Sequence, residues 1–274
     1  MIGMSFAELA ALIDGKLLNR TRADDKFQGV SIDSRTLRSG ELFFAIRGPR
    51  HDGHDFIEQA IAHRAGGIVA EMNRQQPAAA SEKVAVVSVR DSHVALLKLA
   101  ESVRRISRAR FVAITGSNGK TTTKELAYTL ISAVEPSTFR SPGNLNNLFG
   151  APLALFALPE NTAVAVMELG ISTPGEMTRL AGLVQPDIIL ITNVGPSHLE
   201  FLNSVEDVAR AKLELARAAH TAPLIINADD PILVAEAAKI RPHCVTFAVD
   251  NVADFRPEAV VTSTAGASEV SLQG

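Results

Sequence analysis

The chain has 274 residues, a formal net charge of −3 and 46% hydrophobic residues. This length is sufficient for two domains with separate cores, and the composition indicates a globular protein rather than a disordered one. The acidic balance argues against general nucleic-acid binding. The single cysteine, Cys244, excludes an internal disulfide, and no apolar run approaches the roughly 18 residues of a membrane span. We therefore expect a cytoplasmic protein.

The first 82 residues show short strands, tight turns and modest helices. Ser5 and Glu8 have the spacing of a capping box and predict a helix start. Strand patterns follow at 30–32, 41–46 and 68–70, with a helix from Asp55 between the last two. The turn at 33–35 fits plain turn chemistry and a binding loop equally well. The segment 73–81, with Pro77 and three alanines, predicts a boundary between domains at 1–82 and 83–274.

In the second part, apolar runs alternate with helical patterns. The runs lie at 84–89, 111–114, 163–167, 188–191 and 224–226. The last four end in polar residues, namely Thr115, Glu168, Thr192 with Asn193, and Asn227. This pattern predicts a mostly parallel sheet flanked by helices on both faces. Because ligands bind beyond the carboxyl ends of such strands, we expect one rim of the sheet to collect the polar side chains.

A phosphate-binding turn is predicted between the strand at 111–114 and the next helix. Its residues are Gly116, Ser117, Asn118, Gly119, Lys120, Thr121 and Thr122. A glycine turn that enters a helix directs backbone N–H groups toward one point, where phosphate binds. Lys120 would reach the terminal phosphates, and the hydroxyl of Thr121 would take a magnesium ligand position. Ile114 stands where the full motif has its first glycine, so an ordinary turn also fits, but Lys-Thr at the helix start favours phosphate.

The helix after this turn has a predicted apolar stripe of Ala127, Leu130, Ile131 and Val134. The following segment, 141–153, is dense in Gly, Pro and Asn. It fits a long irregular loop, but its three asparagines also offer amide donors for phosphate or substrate oxygens.

Three further residues are candidates for chemistry. Glu168 ends a buried strand on the ligand side of the sheet, where a carboxylate is suited to hold magnesium. His198 follows the Gly-Pro turn at 195–196 and fits a surface residue or a ligand equally well. Lys212 lies on the apolar stripe of a helix that begins after Ser204. Its side chain would snorkel, pair with an acid, or become a neutral amine that reacts with carbon dioxide to give a carbamate.

Together these segments resemble the Mur ligases, the ATP-dependent amide-forming enzymes of peptidoglycan precursor synthesis. The similarity extends over essentially the whole chain. In the first domain it rests on Asp-Ser-Arg at 33–35, Gly-Glu-Leu-Phe-Phe-Ala at 40–45 and Asp-Gly-His-Asp-Phe-Ile at 52–57. In the second it rests on Gly-Ser-Asn-Gly-Lys-Thr-Thr-Thr-Lys-Glu at 116–125, Gly-Asn-Leu-Asn-Asn at 143–147, Gly-Ala-Pro-Leu at 150–153, Met-Glu-Leu-Gly at 167–170 and Gly-Glu-Met at 175–177.

The resemblance implies an α/β protein with a small N-terminal domain that binds uridine nucleotide and a P-loop-type central domain that binds ATP. Ser34 and Arg35 would contact the UDP-substrate. Within the ATP site, Lys120 and Asn144 would contact the terminal phosphates. The phosphate turn is most similar to that of family members that join D-alanyl-D-alanine to UDP-N-acetylmuramoyl-tripeptide.

The resemblance also implies two magnesium ions. Thr121 and Glu168 would hold one, and His198 with a carbamylated Lys212 would hold the second. Lys120, His198 and Lys212 would then be catalytic. The carboxylate of the tripeptide would attack the γ-phosphate of ATP, and the amine of D-alanyl-D-alanine would displace phosphate from the acyl phosphate.

Family members continue with a His-Asn-x-x-Asn helix that contacts adenine and a C-terminal domain that receives the dipeptide. This sequence stops at Gly274, after a hairpin pattern at 260–262 and 269–272. The resemblance therefore implies a fragment, monomeric and unable to turn over alone.

Three alternatives remain open from the sequence. The first is a diamino-acid-adding ligase or a folylpolyglutamate synthase, which the choice of amine would distinguish. The second is a P-loop switch or kinase, whose activity would not depend on a UDP-sugar. The third is a non-catalytic module that binds UDP-muramyl peptide without ATP.

Overall fold

A computed structural model of the chain describes residues 3–48, 51–72, 84–197, 200–262 and 268–272. The helices in these ranges are α1 (Phe6–Leu12), α2 (Ile57–Ala62), α3 (Ser92–Ile106), α4 (Lys120–Val134), α5 (Gly150–Phe156), α6 (Glu176–Val184), α7 (Val205–Ala218) and α8 (Pro231–Ala238), with short 3-10 helices at Arg20–Arg22 and Gly53–Phe56. The strands are β1 (Lys16–Leu17), β2 (Val30–Ser31), β3 (Leu42–Phe44), β4 (Gly67–Glu71), β5 (Ala85–Val89), β6 (Arg110–Thr115), β7 (Thr138–Arg140), β8 (Val164–Glu168), β9 (Ile188–Ile191), β10 (Leu224–Asn227), β11 (Val245–Phe247), β12 (Pro257–Thr262) and β13 (Ser268–Leu272).

The chain forms two compact units. The first contains Met1–Arg108 and Leu148–Thr162, and the second contains Ala109–Asn147 and Ala163–Gly274. Each unit has its own sheet. The predicted α/β class with a mostly parallel sheet and flanking helices is confirmed.

The first unit is built on a five-stranded sheet of order β1-β5-β4-β3-β2. All neighbours are parallel except β1 and β5. Phe43, Ile68 and Val86 belong to the core of this unit, together with Ile57 of α2. The predicted capping box starts α1, because the Ser5 hydroxyl accepts the N–H of Glu8 and the Glu8 carboxylate accepts the N–H of Ser5.

The first unit extends beyond the boundary predicted at residues 82 and 83. β5 lies between β1 and β4, pairs with β4 over five residues and is buried throughout. The chain then returns to the same unit at 148–162, which includes α5. Periodicity identifies a strand but not its partner, so the sequence could not assign β5 to the first sheet. The assignment of functions to two domains remains a prediction.

The second unit is built on a six-stranded parallel sheet of order β11-β10-β9-β6-β8-β7. Its central strands are the continuous apolar runs identified in the sequence, whereas the short strands β7 and β11 were not predicted. β12 and β13 pair antiparallel, which confirms the predicted hairpin. Across the described ranges, no helix combines the length and apolar character needed to cross a membrane.

The apolar stripe predicted for α4 is wrong in part. Leu130 is 72% exposed and Val134 is 84% exposed, so these residues face away from the sheet. The residue of α4 that is buried is Lys124. Its ammonium donates to the carbonyl oxygens of Ser141 and Gly143, so the fully buried contact of α4 is polar rather than apolar.

Candidate nucleotide-binding site

The carboxyl ends of three adjacent strands bring the phosphate turn and Glu168 to one rim. β6 lies between β8 and β9, with Ile114 in register with Glu168 and Thr115 in register with Ile191. The turn after β6, the carboxylate that ends β8 and the segment after β9 therefore leave the sheet side by side. This is where a parallel α/β sheet binds its ligand.

The phosphate turn is fixed by the segment that follows β9. The N–H of Asn118 donates to Asn193 Oδ1 at 2.9 Å, and the hydroxyl of Ser117 donates to the carbonyl of Gly195 at 3.1 Å. Gly119, with φ of 78°, adopts the left-handed conformation that glycine tolerates, and it starts α4. These contacts hold the turn against the segment that follows β9.

Lys120 is folded over the turn. Its Nζ donates to the carbonyls of Gly116 at 2.8 Å and Ser117 at 3.2 Å. Burial lowers the pKa of Lys120, and the negative charge of Glu168 opposes that shift. An ammonium held this close to the turn is placed to bind an anion that enters it.

Thr121 and Glu168 are in direct contact. The hydroxyl of Thr121 donates to Glu168 Oε2 at 2.9 Å, and Asn146 Nδ2 donates to Glu168 Oε1 at 2.8 Å. The Glu168 residue is only 2% exposed. A carboxylate beside a hydroxyl is an oxygen donor set that fits Mg²⁺, which usually keeps several waters and takes few protein ligands. The residues present therefore fit one magnesium ion.

Asn146 is a site residue that the sequence did not single out. Asn144, which was predicted to contact phosphate, is exposed, and its carbonyl accepts the N–H of Asn146 at 2.8 Å. Thr122 is also exposed. The density of asparagines at 144–147 was the available signal, but spacing alone could not tell which amide would face Glu168.

Lys212 is buried inside the second unit, with 3% of the residue exposed. Its pKa is lowered to about 8, mainly by burial and also by the positive charge of Lys120. His198, the predicted partner of Lys212 at the second magnesium ion, lies outside the described residues.

We expect Lys212→Met to raise the free energy of unfolding by about 3 kcal/mol at about pH 7, because each unit of pKa shift corresponds to about 1.4 kcal/mol. The folded pKa of Lys212, about 8, lies below its ordinary value of 10.5. Between these values the unfolded state binds more protons, so the wild type gains stability as pH rises and the difference from the variant shrinks. Urea denaturation at several pH values, in bicarbonate-free buffer, measures the difference in free energy of unfolding between the wild type and the variant. Lys239→Met, at a side chain 64% exposed, is the matched control. A difference that stays constant with pH would contradict the assignment.

One buried hydroxyl lies at the base of the turn. Thr115 is fully buried at the end of β6, and among the residues that the structure describes its Oγ1 has no hydrogen-bond partner. The neighbouring Thr192 hydroxyl donates to the carbonyl of Asn118 at 2.6 Å. An unpaired buried hydroxyl carries a cost in free energy.

In the first unit, Ser34 and Arg35 both line a cavity of about 590 Å³. The buried Ser34 hydroxyl donates to Gln59 Oε1 at 2.8 Å. Arg35 binds both carboxylate oxygens of Asp33, at 2.9 and 2.7 Å, and this ion pair raises the pKa of Arg35. The Arg35 side chain is 79% exposed, so it remains available to an incoming anion.

Aromatic rings form another part of the wall of this cavity. Phe43, Phe56 and Phe149 line it. Phe149 stacks on His93, with ring centroids 4.3 Å apart, and His93 Nε2 lies 3.0 Å from the carbonyl of Leu148. Flat rings beside a guanidinium suit a planar base joined to phosphates. Phe149 was not predicted to line this cavity, because it lies far along the chain from the other lining residues.

Comparison with known protein families identifies the class of protein to which the chain belongs. Residues 114–273 match the Mur ligase middle domain, and residues 26–110 match the family described as Mur ligase family, catalytic domain. The chain belongs to the Mur ligase family.

The similar proteins and solved structures within this family include several ligases of one type. The UDP-N-acetylmuramoyl-tripeptide–D-alanyl-D-alanine ligase of Bacillus subtilis is 36% identical over 234 residues, which are 85% of this chain and 50% of that protein. A crystal structure of MurF from Acinetobacter baumannii superposes with a TM-score of 0.83 at 28% identity, over 94% of this chain and 56% of that one. MurF from Thermotoga maritima in complex with ADP has a TM-score of 0.76 at 31% identity, over 89% and 55%. The chain spans about half the length of these relatives.

Proposed function

We propose that this chain supplies the substrate-binding and ATP-binding parts of a cytoplasmic, ADP-forming ligase that joins D-alanyl-D-alanine to UDP-N-acetylmuramoyl-tripeptide. The observation that carries the proposal is the 2.9 Å contact between the Thr121 hydroxyl and the Glu168 carboxylate, next to Lys120. Support comes from the similarity to ligases with this name and from the ADP complex of the Thermotoga maritima relative.

In the ATP site, the backbone N–H groups of the turn and the dipole of α4 would receive the phosphates. Lys120 would exchange the carbonyls of Gly116 and Ser117 for the terminal phosphates, with Asn144 as a further contact. Magnesium held by Thr121 and Glu168 would neutralise charge on the phosphates when bound. Because negative charge builds on phosphoryl oxygens during transfer, a fixed cation at this position lowers the barrier.

Lys212 would contribute to a second metal position in carbamylated form, with His198 as its partner. The neutral amine attacks the carbon of carbon dioxide, a C–N bond forms, and one proton leaves the nitrogen. A pKa of about 8 makes the neutral amine accessible near neutral pH. The product is an anionic oxygen donor at a position where a buried cation is costly.

The reaction would couple two steps. The terminal carboxylate of the tripeptide attacks the γ-phosphorus of ATP, which forms an acyl phosphate and releases ADP. The amine of D-alanyl-D-alanine then attacks the acyl carbon, and phosphate leaves with the C–O bond electrons while the amine loses a proton. The residues of this chain would position the nucleotide and stabilise charge in the first step.

Arg35→Ala is expected to weaken UDP binding about 10- to 100-fold, because it removes a charge-assisted hydrogen bond worth about 1.5–3 kcal/mol. Isothermal titration of the chain with UDP measures the change. Arg38→Ala is the matched control, since Arg38 is exposed near the same turn and is not among the residues that line the cavity. Equal losses in the two variants would argue against the predicted contact.

The proposal as a whole is tested by binding. We expect the chain to bind ADP in a magnesium-dependent manner and to bind UDP-N-acetylmuramoyl-tripeptide more tightly than UDP-N-acetylmuramoyl-L-alanyl-D-glutamate, the substrate in the name of diaminopimelate-adding ligases. Tighter binding of the shorter substrate would favour the diamino-acid-adding alternative. Nucleotide binding that does not respond to magnesium would rule out the proposed ATP site.

A further inference from the structure

A lysine is fully buried behind the candidate nucleotide site. Lys124 lies one helical turn after Lys120 in α4 and is 0% exposed. Lysine is rarely buried, because removing an ammonium from water costs several kcal/mol unless it is paired and hydrogen-bonded. An apolar side chain would fill this space at lower cost. The polar contacts of Lys124 must therefore supply something that packing does not.

The ammonium of Lys124 is surrounded by oxygen atoms from three segments. Its Nζ donates to the carbonyls of Ser141 at 3.1 Å and Gly143 at 2.9 Å. Two carboxylates lie nearby, with Glu125 Oε1 at 3.3 Å and Glu168 Oε2 at 3.8 Å. The distance to Glu168 is too long for a hydrogen bond, so Lys124 acts on that carboxylate by charge.

These contacts connect the loop after β7 to the carboxylate that ends β8. The hydroxyl of Ser141 accepts the N–H of Glu168 at 3.1 Å, while the Ser141 carbonyl accepts from Lys124. Gly143, with φ of 51°, turns its carbonyl to the same ammonium, and Asn144 follows directly. Asn146 then bonds to Glu168 Oε1. The loop and the carboxylate thus share one internal cation.

We infer that Lys124 is a positioning residue of the nucleotide site, which holds the loop at 141–146 and turns the Glu168 carboxylate toward Thr121. The inference rests on the proposed function of the Thr121–Glu168 pair. Lys120 faces the turn, whereas Lys124 touches neither the turn nor any atom that would react. Its effect on the bound nucleotide is exerted through Glu168, Asn144 and Asn146.

The test is Lys124→Met, which leaves an unbranched side chain one atom shorter and removes the charge and donors of the lysine. We expect the magnesium concentration that gives half-maximal ADP binding to rise about 10- to 100-fold, the usual loss when a residue that supports a metal ligand is removed. UDP binding is expected to stay unchanged, because the cavity of the first unit does not include this helix. Lys239→Met controls for loss of an exposed lysine.

A merely structural lysine would lower the midpoint of thermal unfolding without moving the magnesium requirement of the folded protein. An unchanged magnesium requirement in folded Lys124→Met overturns the inference. If that variant does not fold, Lys124→Gln decides, because its amide still offers a donor to the carbonyls of Ser141 and Gly143 but carries no charge to act on Glu168. It should raise the magnesium requirement severalfold, and no change there also overturns the inference.

Lys120→Ala separates this inference from the proposed function. Loss of ADP binding in Lys120→Ala with wild-type behaviour in Lys124→Met rejects the positioning role and leaves the ATP site standing. ADP binding that survives in both variants rejects the ATP site itself.

Discussion

Gly116→Ala is expected to abolish ADP binding and to lower the free energy of unfolding by about 3 kcal/mol, at the upper end of what overpacking usually costs. A Cβ at position 116 would lie 1.9 Å from Thr192 Oγ1 and 3.3 Å from the backbone nitrogen of Asn193. The Thr192 hydroxyl cannot move away freely, because it donates to the carbonyl of Asn118. Relief of the clash therefore opens the turn that receives the phosphates.

Urea denaturation and ADP titration measure the two effects of Gly116→Ala. Gly182→Ala is the matched control, since no atom lies within 4 Å of the new Cβ and the site is inside α6. There the added methyl group should be neutral or stabilise by up to about 1 kcal/mol. Removing the Thr192 hydroxyl in Gly116→Ala/Thr192→Ala should restore part of the stability. Wild-type ADP affinity in Gly116→Ala alone would mean that the turn is not the phosphate site.

Lys120→Ala is expected to weaken ADP binding about 100-fold or more, which corresponds to about 3 kcal/mol. The ammonium is half-buried and already desolvated, as the lowered pKa of Lys120 indicates, so its attraction to phosphate is less screened by water. The fold should tolerate the change, because in the described structure Lys120 Nζ donates only to carbonyls of its own turn.

Fluorescence titration with labelled ADP, at fixed magnesium, measures the loss in Lys120→Ala. Lys239→Ala serves as the control, because the side chain of Lys239 is 64% exposed, pairs with Glu236 of α8 and lies outside the phosphate turn. An affinity within about twofold of the wild type would place the phosphates elsewhere, since losing one charged contact costs at least about 1.5 kcal/mol.

The fold was predictable where one face or both faces of an element are apolar over several residues. The runs at 111–114, 163–167 and 188–191 became the three central strands β6, β8 and β9. The short strands β7 and β11 were not predicted, because three residues are too few to show a periodic pattern. The membership of β5 in the first sheet depends on pairing between distant residues, which local pattern does not encode.

The candidate site was predictable where a motif has a local geometric reason. A turn that opens a helix with Lys-Thr is defined within a few residues, so phosphate and magnesium roles for Lys120 and Thr121 could be predicted from the sequence alone, and they remain predictions. Lys124 and Asn146 were missed, because their roles depend on atoms that approach from 17 to 22 residues away in the sequence. Phe149 was missed for the same reason. The role of His198 remains a prediction.

The strand order of the second sheet predicts different effects for mutations inside the strands and for mutations just beyond the strand ends. The chain runs from β6 to the edge strand β7 and back through β8, and it then crosses to β9 and β10 on the other side of β6. The direction of strand addition therefore reverses at β6, which creates a crevice at the strand ends without any special side chain in the strands. Interior changes such as Ala113→Gly should then alter melting behaviour while ligand preference is retained. Changes in the segments just beyond the strand ends should alter ligand preference while the fold of the sheet is retained.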